Sequence, residues 1–544
     1  MSEVQPTEQG GDHDGDEGDS DGEEKQIPQG LPERWACLER GPVVFDLRDH
    51  GWLALMPRYA GMGPAPVLNC VFETVAKECP THARLESGYI DEDFRDEYAN
   101  FYAKTYRELP SRCERLHFFD EPNDAYLGYV ILRPIIGRPV SRTMLAPPAE
   151  LRPHVSCTAR GTATPWGVKL EVQGFPFISQ DAQFGSCAHA AIWMVALYFH
   201  RRFRAPRYHL SDLADSASRH QDVLPAQPSG GLTGRQISAV LHDLNMTPVI
   251  YRIDESLPDR AESIACRYLN SGLPVILLNE TERLGHSKVL VGYGRDEKGL
   301  FFVHHDDQKG PYRTTRNLLI GGDDEGGEEP AGDGGPAEQP QAQTADHPPP
   351  TPSAVAQGGE PRALDTPEAT AASRHGNDRL VIPMPGRIYL SGEAAERWAA
   401  VIFKQLIEEQ LKEGNEQLEP LLDGLREGGP LRLRCYATES SEYMVALRAR
   451  QPVSEVVNWH VGIPVSHWLW IVELQSRAAA AESTKCVLGE VAIDATSDEQ
   501  WVNPLFGNLP GVVFFWPSLG DDIDVAASGQ DLTPYATGCA LHVG

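Results

Sequence analysis

The chain lacks most of the features that would place it outside ordinary soluble chemistry. No stretch of about 18 apolar residues occurs, so no membrane-crossing helix is expected. The N-terminus is acidic and Gly-rich, without the basic and apolar segments of a signal peptide, and cytoplasmic residence is the default expectation. Positive charge is short: 48 Lys and Arg stand against 78 Asp and Glu, a net charge of −30. No basic patch is dense enough for nucleic acid, and an acidic surface repels anionic lipid, so neither is an expected partner. None of the ten cysteines forms a CxxC pair, which argues against a zinc cage. Scattered thiols in such a chain are expected to be reduced and mostly buried. No internal repeat and no EF-hand loop is present, and neither a metal nor an organic cofactor is expected.

The acidic excess is concentrated. Residues 1–34 hold 11 acids and 2 bases, and residues 321–378 hold 12 acids and 2 bases. Residues 1–30 read as a disordered acidic tail and 321–378 as a flexible Pro/Gly-rich insert or linker. Three segments are left to fold. Residues 31–150 read as an N-terminal region of mixed α and β structure that announces no chemistry. Residues 151–320 carry the motifs, and 379–544 read as a second α+β region.

Within these segments the local signals are strong. Phe94, Tyr98, Phe101 and Tyr102 fall on one helical face, and "AYLGYVILRP" (125–134) reads as a strand stopped by proline. "HAAIWMVALYFHRRF" is an apolar helix without Gly or Pro. Thr233 and Gln236 form a capping-box pattern before a second helix. Three strand-like runs follow, at 274–279, 286–294 and 300–307. Helices first and a strand meander afterwards predict an α+β fold with antiparallel strands. Beyond the insert, Ser391 opens a long helix to about Lys412 with Gly414 past its end. Further strands are expected at 467–474, 485–496 and 511–516, with Trp468 and Trp470 on one core-facing side.

The chemistry centres on "SQDAQFGSCAHAAIWM". Cys187 stands where a polar loop turns into the apolar helix. The unpaired N–H groups of a helix's first turn favour a thiolate there. Gly185 and Ser186 permit close backbone approach, and Gln180 or Gln183 offers a side-chain amide to an oxyanion. His286 opens the strand "HSKVLVGYG", with Gly285 leaving room beside it. If that strand pairs with the next, His286 lies near Asp306 or Asp307, either of which can orient the ring. His189, His200, His242, His304 and His305 rank below His286 as bases. His189 lies on the Cys187 helix two residues away, and His304 alternates away from His305.

The order of Gln, Cys at a helix start, His on a strand and Asp after the next strand resembles the papain-like cysteine peptidases. It is closest to the bacteriocin-processing (double-glycine) branch, over about residues 175–315. That resemblance implies a papain-like core with Cys187 as nucleophile, His286 as acid/base, Asp306 as orienter and Gln180 in the oxyanion hole, acting on a peptide or protein substrate. The chain departs from the family pattern at three points. Gln180 is seven residues before Cys187 rather than six, Asp307 stands where the family has proline, and no nucleotide-binding cassette follows. The same machinery serves acyl or amide transfer of the transglutaminase kind, and an inert protease-like scaffold is the reading from a different class.

Overall fold

The computed structural model describes residues 43–46, 66–76, 81–106, 108–120, 125–135, 137–181, 185–220, 232–253, 258–280, 285–318, 378–425, 429–450, 465–476, 485–500, 502–510, 512–516, 524–527 and 535–536. The tail 1–30, residues 321–377 of the acidic insert and Gln183 lie outside them.

The first sheet contains β1 (Val43–Asp46), β2 (Thr81–Tyr89), β3 (Cys113–Asp120), β4 (Ala125–Leu132), β5 (Val140–Leu145) and, at its far edge, the two-residue β8 (Pro176–Phe177), in the order β1-β2-β3-β4-β5-β8. Helix α1 (Pro66–Ala76) follows β1 and α2 (Glu92–Asn100) follows β2, while β6 (Ala159–Ala163) and β7 (Leu170–Gly174) make a separate hairpin. The Asp91 carboxylate caps α2 by accepting from the Phe94 N–H. The expected aromatic face is real at Phe94 and Tyr98, but the α-helix ends at Asn100 and Tyr102 opens a 3-10 turn.

Next come helices α3 (Cys187–Phe203), α4 (Leu210–Arg219) and α5 (Gly234–Asp243), strand β9 (Met246–Arg252) and helix α6 (Pro258–Asn270). They lead into the meander β10 (Val275–Glu280), β11 (Gly285–Asp296), β12 (Gly299–Asp306) and β13 (Gly310–Thr315). The capping box expected at α5 is present, with Thr233 and Gln236 bonded reciprocally. Strand β14 (Arg379–Pro385), across the acidic insert, then enters the same sheet between β10 and β9, giving β13-β12-β11-β10-β14-β9. The segment beginning at 379 thus contributes its first strand to the sheet that carries His286 and Asp306.

The rest of the chain holds α7 (Gly392–Lys412), capped by Ser391, then α8 (Glu419–Gly424), β15 (Leu431–Glu439) and α9 (Ser440–Arg450). A third sheet runs β15-β16-β17-β18-β19-β20, with β16 (Trp468–Ser476), β17 (Lys485–Asp494), β18 (Pro504–Leu509), β19 (Val512–Phe515) and β20 (Asp524–Ala527), and β21 (Tyr535–Ala536) pairs with β17. Every ladder among the described strands is antiparallel, and with the helices this is an α+β protein. Trp468 and Trp470 are buried, and the Trp470 indole N–H donates to the Leu390 carbonyl at 2.9 Å. None of the described helices is long and apolar enough to cross a membrane.

Helix α3 sits at the centre. Residues 188–199 are all buried, as a helix apolar on every side must be. It packs on β11 on one side and on β6 and β8 on another. Tyr198 ties it to the end of α6 by donating to the Gly272 carbonyl at 2.6 Å, and Trp193 ties it to α2 through Asp93 at 3.2 Å. The segment before β6 crosses β11 at Gly292, which bridges Val155. A Cβ at Gly292 would lie 2.0 Å from the His154 carbonyl oxygen, so only glycine permits this approach.

Candidate active site

The sequence folds locally so that three elements converge. The α3 helix starts at Cys187, with Ser186 in extended conformation before it. The Ser186 N–H donates to His189 Nδ1 at 3.4 Å, and the Ser186 hydroxyl lies 2.9 Å from the same nitrogen. His189 therefore caps its own helix. Burial pushes its pKa down to about 4, against the opposing charge of Asp181, so it is neutral and its Nδ1 is occupied.

Opposite α3, β10 and β12 flank β11. Asn279 pairs with His286 on one side and Asp306 with Lys288 on the other. Because His286 and Lys288 share a face, Asp306 is a diagonal cross-strand neighbour of His286. Their side chains meet: His286 Nε2 is 3.0 Å from Asp306 Oδ2. Cys187 acts on the same imidazole from α3 and raises its pKa. The Cys187 sulfur also lies 3.9 Å from the Gly285 carbonyl. Space beside Gly285 is open, since a Cβ there would meet only the Asn279 carbonyl oxygen at 4.0 Å.

Asp306 is held from behind. Its Oδ1 accepts from the backbone N–H groups of Gln308 (2.9 Å) and Lys309 (3.2 Å), an Asx-type turn leading to β13. Burial pushes Asp306 upward, but the His286 hydrogen bond and charge, helped by the Gln308 N–H, hold it well below the ordinary carboxylate range. For His286, burial acts downward, and the hydrogen bonds to Asp306 and Cys187 with the charges of Asp306 and Asp307 raise it to about 10. The imidazolium is thus the favoured form across neutral pH and is lost as pH rises through that value. Replacing Asp306 by asparagine should lower the His286 midpoint by about 1–3 pH units. Titration of the imidazole C–H resonances by NMR in both proteins measures this.

Of the sequence-derived residues, Cys187, His286 and Asp306 are brought together, and Asp306 rather than Asp307 bonds the ring. Gln180 lies half-buried in the loop before α3, and only its backbone carbonyl takes part in a hydrogen bond among the described residues, from the Ser179 hydroxyl at 3.3 Å. Gly185 does not serve close approach, because a Cβ there would make ordinary contacts at 3.7 and 3.9 Å. His304 and His305 are buried on β12, and His305 packs edge-on against Phe175, Phe177 and Tyr312. His200 Nδ1 is 2.7 Å from the Ala205 carbonyl at the other end of α3, and His242 is exposed on α5.

Sequence reasoning missed what holds the loop before α3. Asp181 is buried, with Oδ1 accepting from the Gly185 N–H at 2.9 Å and Oδ2 from the Tyr102 hydroxyl. Arg133 donates to the Ser179 carbonyl at 2.6 Å and to both oxygens of Glu97, at 2.9 and 3.3 Å. The N-terminal region, silent in sequence, therefore braces the loop at Ser179 and Asp181. An acid four residues before a glycine was a readable turn signal, but partners 48 to 84 residues upstream of Asp181 carried none.

Cys113, Cys157 and Cys435 are buried free thiols, and Cys70, Cys187 and Cys266 are half-buried free thiols. Comparison with protein-family models, with curated proteins and with solved structures gives no match for this chain.

Proposed function

We propose that this protein is a cysteine-dependent amide hydrolase, a peptidase built on a papain-like core. The observation that carries the reading is the convergence of Cys187 at the start of a buried helix with His286, whose far nitrogen is fixed by Asp306. In the reaction, Cys187 sulfur attacks an amide carbonyl and forms the C–S bond. The oxyanion takes hydrogen bonds from the Cys187 backbone N–H and the Gln180 side-chain amide. His286 Nδ1 gives its proton to the leaving nitrogen as the C–N bond breaks, then removes a proton from water that hydrolyses the thioester. Asp306 holds the ring with Nε2–H pointing inward, so that Nδ1 does the proton transfer.

The test is to incubate full-length wild type and Cys187→Ala with a proteome-derived peptide library and read new termini by mass spectrometry. Cleavage by wild type alone supports the proposal. Products carrying an added amine in place of water would make the enzyme a transferase. Absence of both, with Cys187 alkylated no faster than Cys70, would remove the catalytic reading.

A further inference from the structure

Asp307 is fully buried just past the end of β12, and neither of its carboxylate oxygens has a hydrogen-bond partner among the described residues. A buried acceptor left without a partner is costly. Its oxygen, an Asp306 oxygen and a His286 nitrogen all lie within 4.8 Å of one another. Among the described residues, the positive side chains that act most strongly on Asp307 are His286 itself and Arg138. One imidazole and two carboxylates is a donor set suited to Zn2+, whereas Ca2+ and Mg2+ prefer oxygen alone.

We propose that His286, Asp306 and Asp307 form a Zn2+ site on the side of the imidazole away from Cys187. The donors are His286 Nε2, Asp306 Oδ2 and an Asp307 carboxylate oxygen, with solvent completing the sphere. Binding releases the Nε2 proton and replaces the His286–Asp306 hydrogen bond by two metal bonds. The ring is then neutral with its proton on Nδ1. It can donate to the Cys187 sulfur but cannot accept a proton from it. The binding claim stands on the three donors, and its inhibitory consequence rests on the hydrolase reading above. In this arrangement zinc silences the enzyme through the base, with the thiol outside the metal's coordination sphere.

The experiment measures Zn2+ affinity by competition with a chromophoric chelator on the full chain, on Cys187→Ala and on Asp307→Asn, with zinc K-edge absorption on the loaded wild type. One equivalent should bind to wild type and Cys187→Ala alike, and Asp307→Asn should weaken it by at least about 100-fold, beyond the 10–100-fold typical of losing an outer-shell partner. The absorption spectrum should show nitrogen and oxygen at about 2.0–2.2 Å without sulfur at about 2.3 Å. Loss of zinc in Cys187→Ala, or a sulfur shell, would show plain thiolate capture and overturn the proposal, as would unchanged affinity in Asp307→Asn. The spectrum keeps the test sharp should Asp307→Asn not fold. None of these readouts needs peptide cleavage, so failure here is separate from failure of the hydrolase reading.

Discussion

Alkylation of Cys187 by iodoacetamide at neutral pH is expected to slow by on the order of 10²-fold when His286 is replaced by alanine, the lower end of what a positioned acid–base group contributes. The protein supplies its own controls. Cys70 and Cys266 are half-buried like Cys187, yet burial pushes both of their pKa values up, Cys266 to about 12. No histidine is among the main influences on either thiol, whereas Cys187 and His286 act on each other. In wild type, site-resolved mass spectrometry should therefore find Cys187 modified first. In His286→Ala, Cys187 should fall to the rate of Cys70 while Cys70 and Cys266 keep theirs. Equal rates for all three thiols in wild type would mean that the geometry at Cys187 confers no reactivity.

The largest stability effect is expected at Arg133. Arg133 and Glu97 form an ion pair with side chains only 1% and 0% exposed. Replacing Arg133 by methionine leaves the Glu97 carboxylate buried without its counter-charge, a change that typically costs 3–5 kcal/mol. Burial pushes the Glu97 pKa up and Arg133 holds it down, so the variant can take up a proton there and the loss should sit near the lower end, about 3 kcal/mol. The unfolding midpoint in urea should fall accordingly. Adding Glu97→Gln removes the stranded charge, and the double variant should recover much of the loss. A second readout is functional. Arg133 also holds the Ser179 carbonyl, so both variants should slow Cys187 alkylation even where stability is restored.

Much of the site was legible because it is written in local code. A loop-to-helix junction places Cys187, and the period-two pattern of the meander places His286 and Asp306 at one sheet end. The long α7 helix was visible from Ser391 and Gly414, both of which act as expected. The choice between Asp306 and Asp307 was not legible, because adjacent residues on a strand differ only by face and the turn after β12 decides which one faces the ring. β14 was equally hidden. Nothing local in "RLVIPMP" says that it slots between β10 and β9 across the acidic insert. The brace of Tyr102, Arg133 and Glu97 lies in a segment whose pattern spells only a helix and strands. Tertiary packing alone gives those polar groups their partners.

The position of β14 has a consequence for how the molecule comes into being on the ribosome. Until residue 385 has left the exit tunnel, β10 and β9 have no strand between them, although everything that carries Cys187, His286 and Asp306 has already been synthesised. Closing that gap pairs segments more than a hundred residues apart, the kind of long-range contact that forms late. A nascent chain stopped at the acidic insert holds all three reactive residues on an unfinished sheet with exposed edges. The sheet that carries His286 and Asp306 is therefore completed only once the chain beyond the insert has been made.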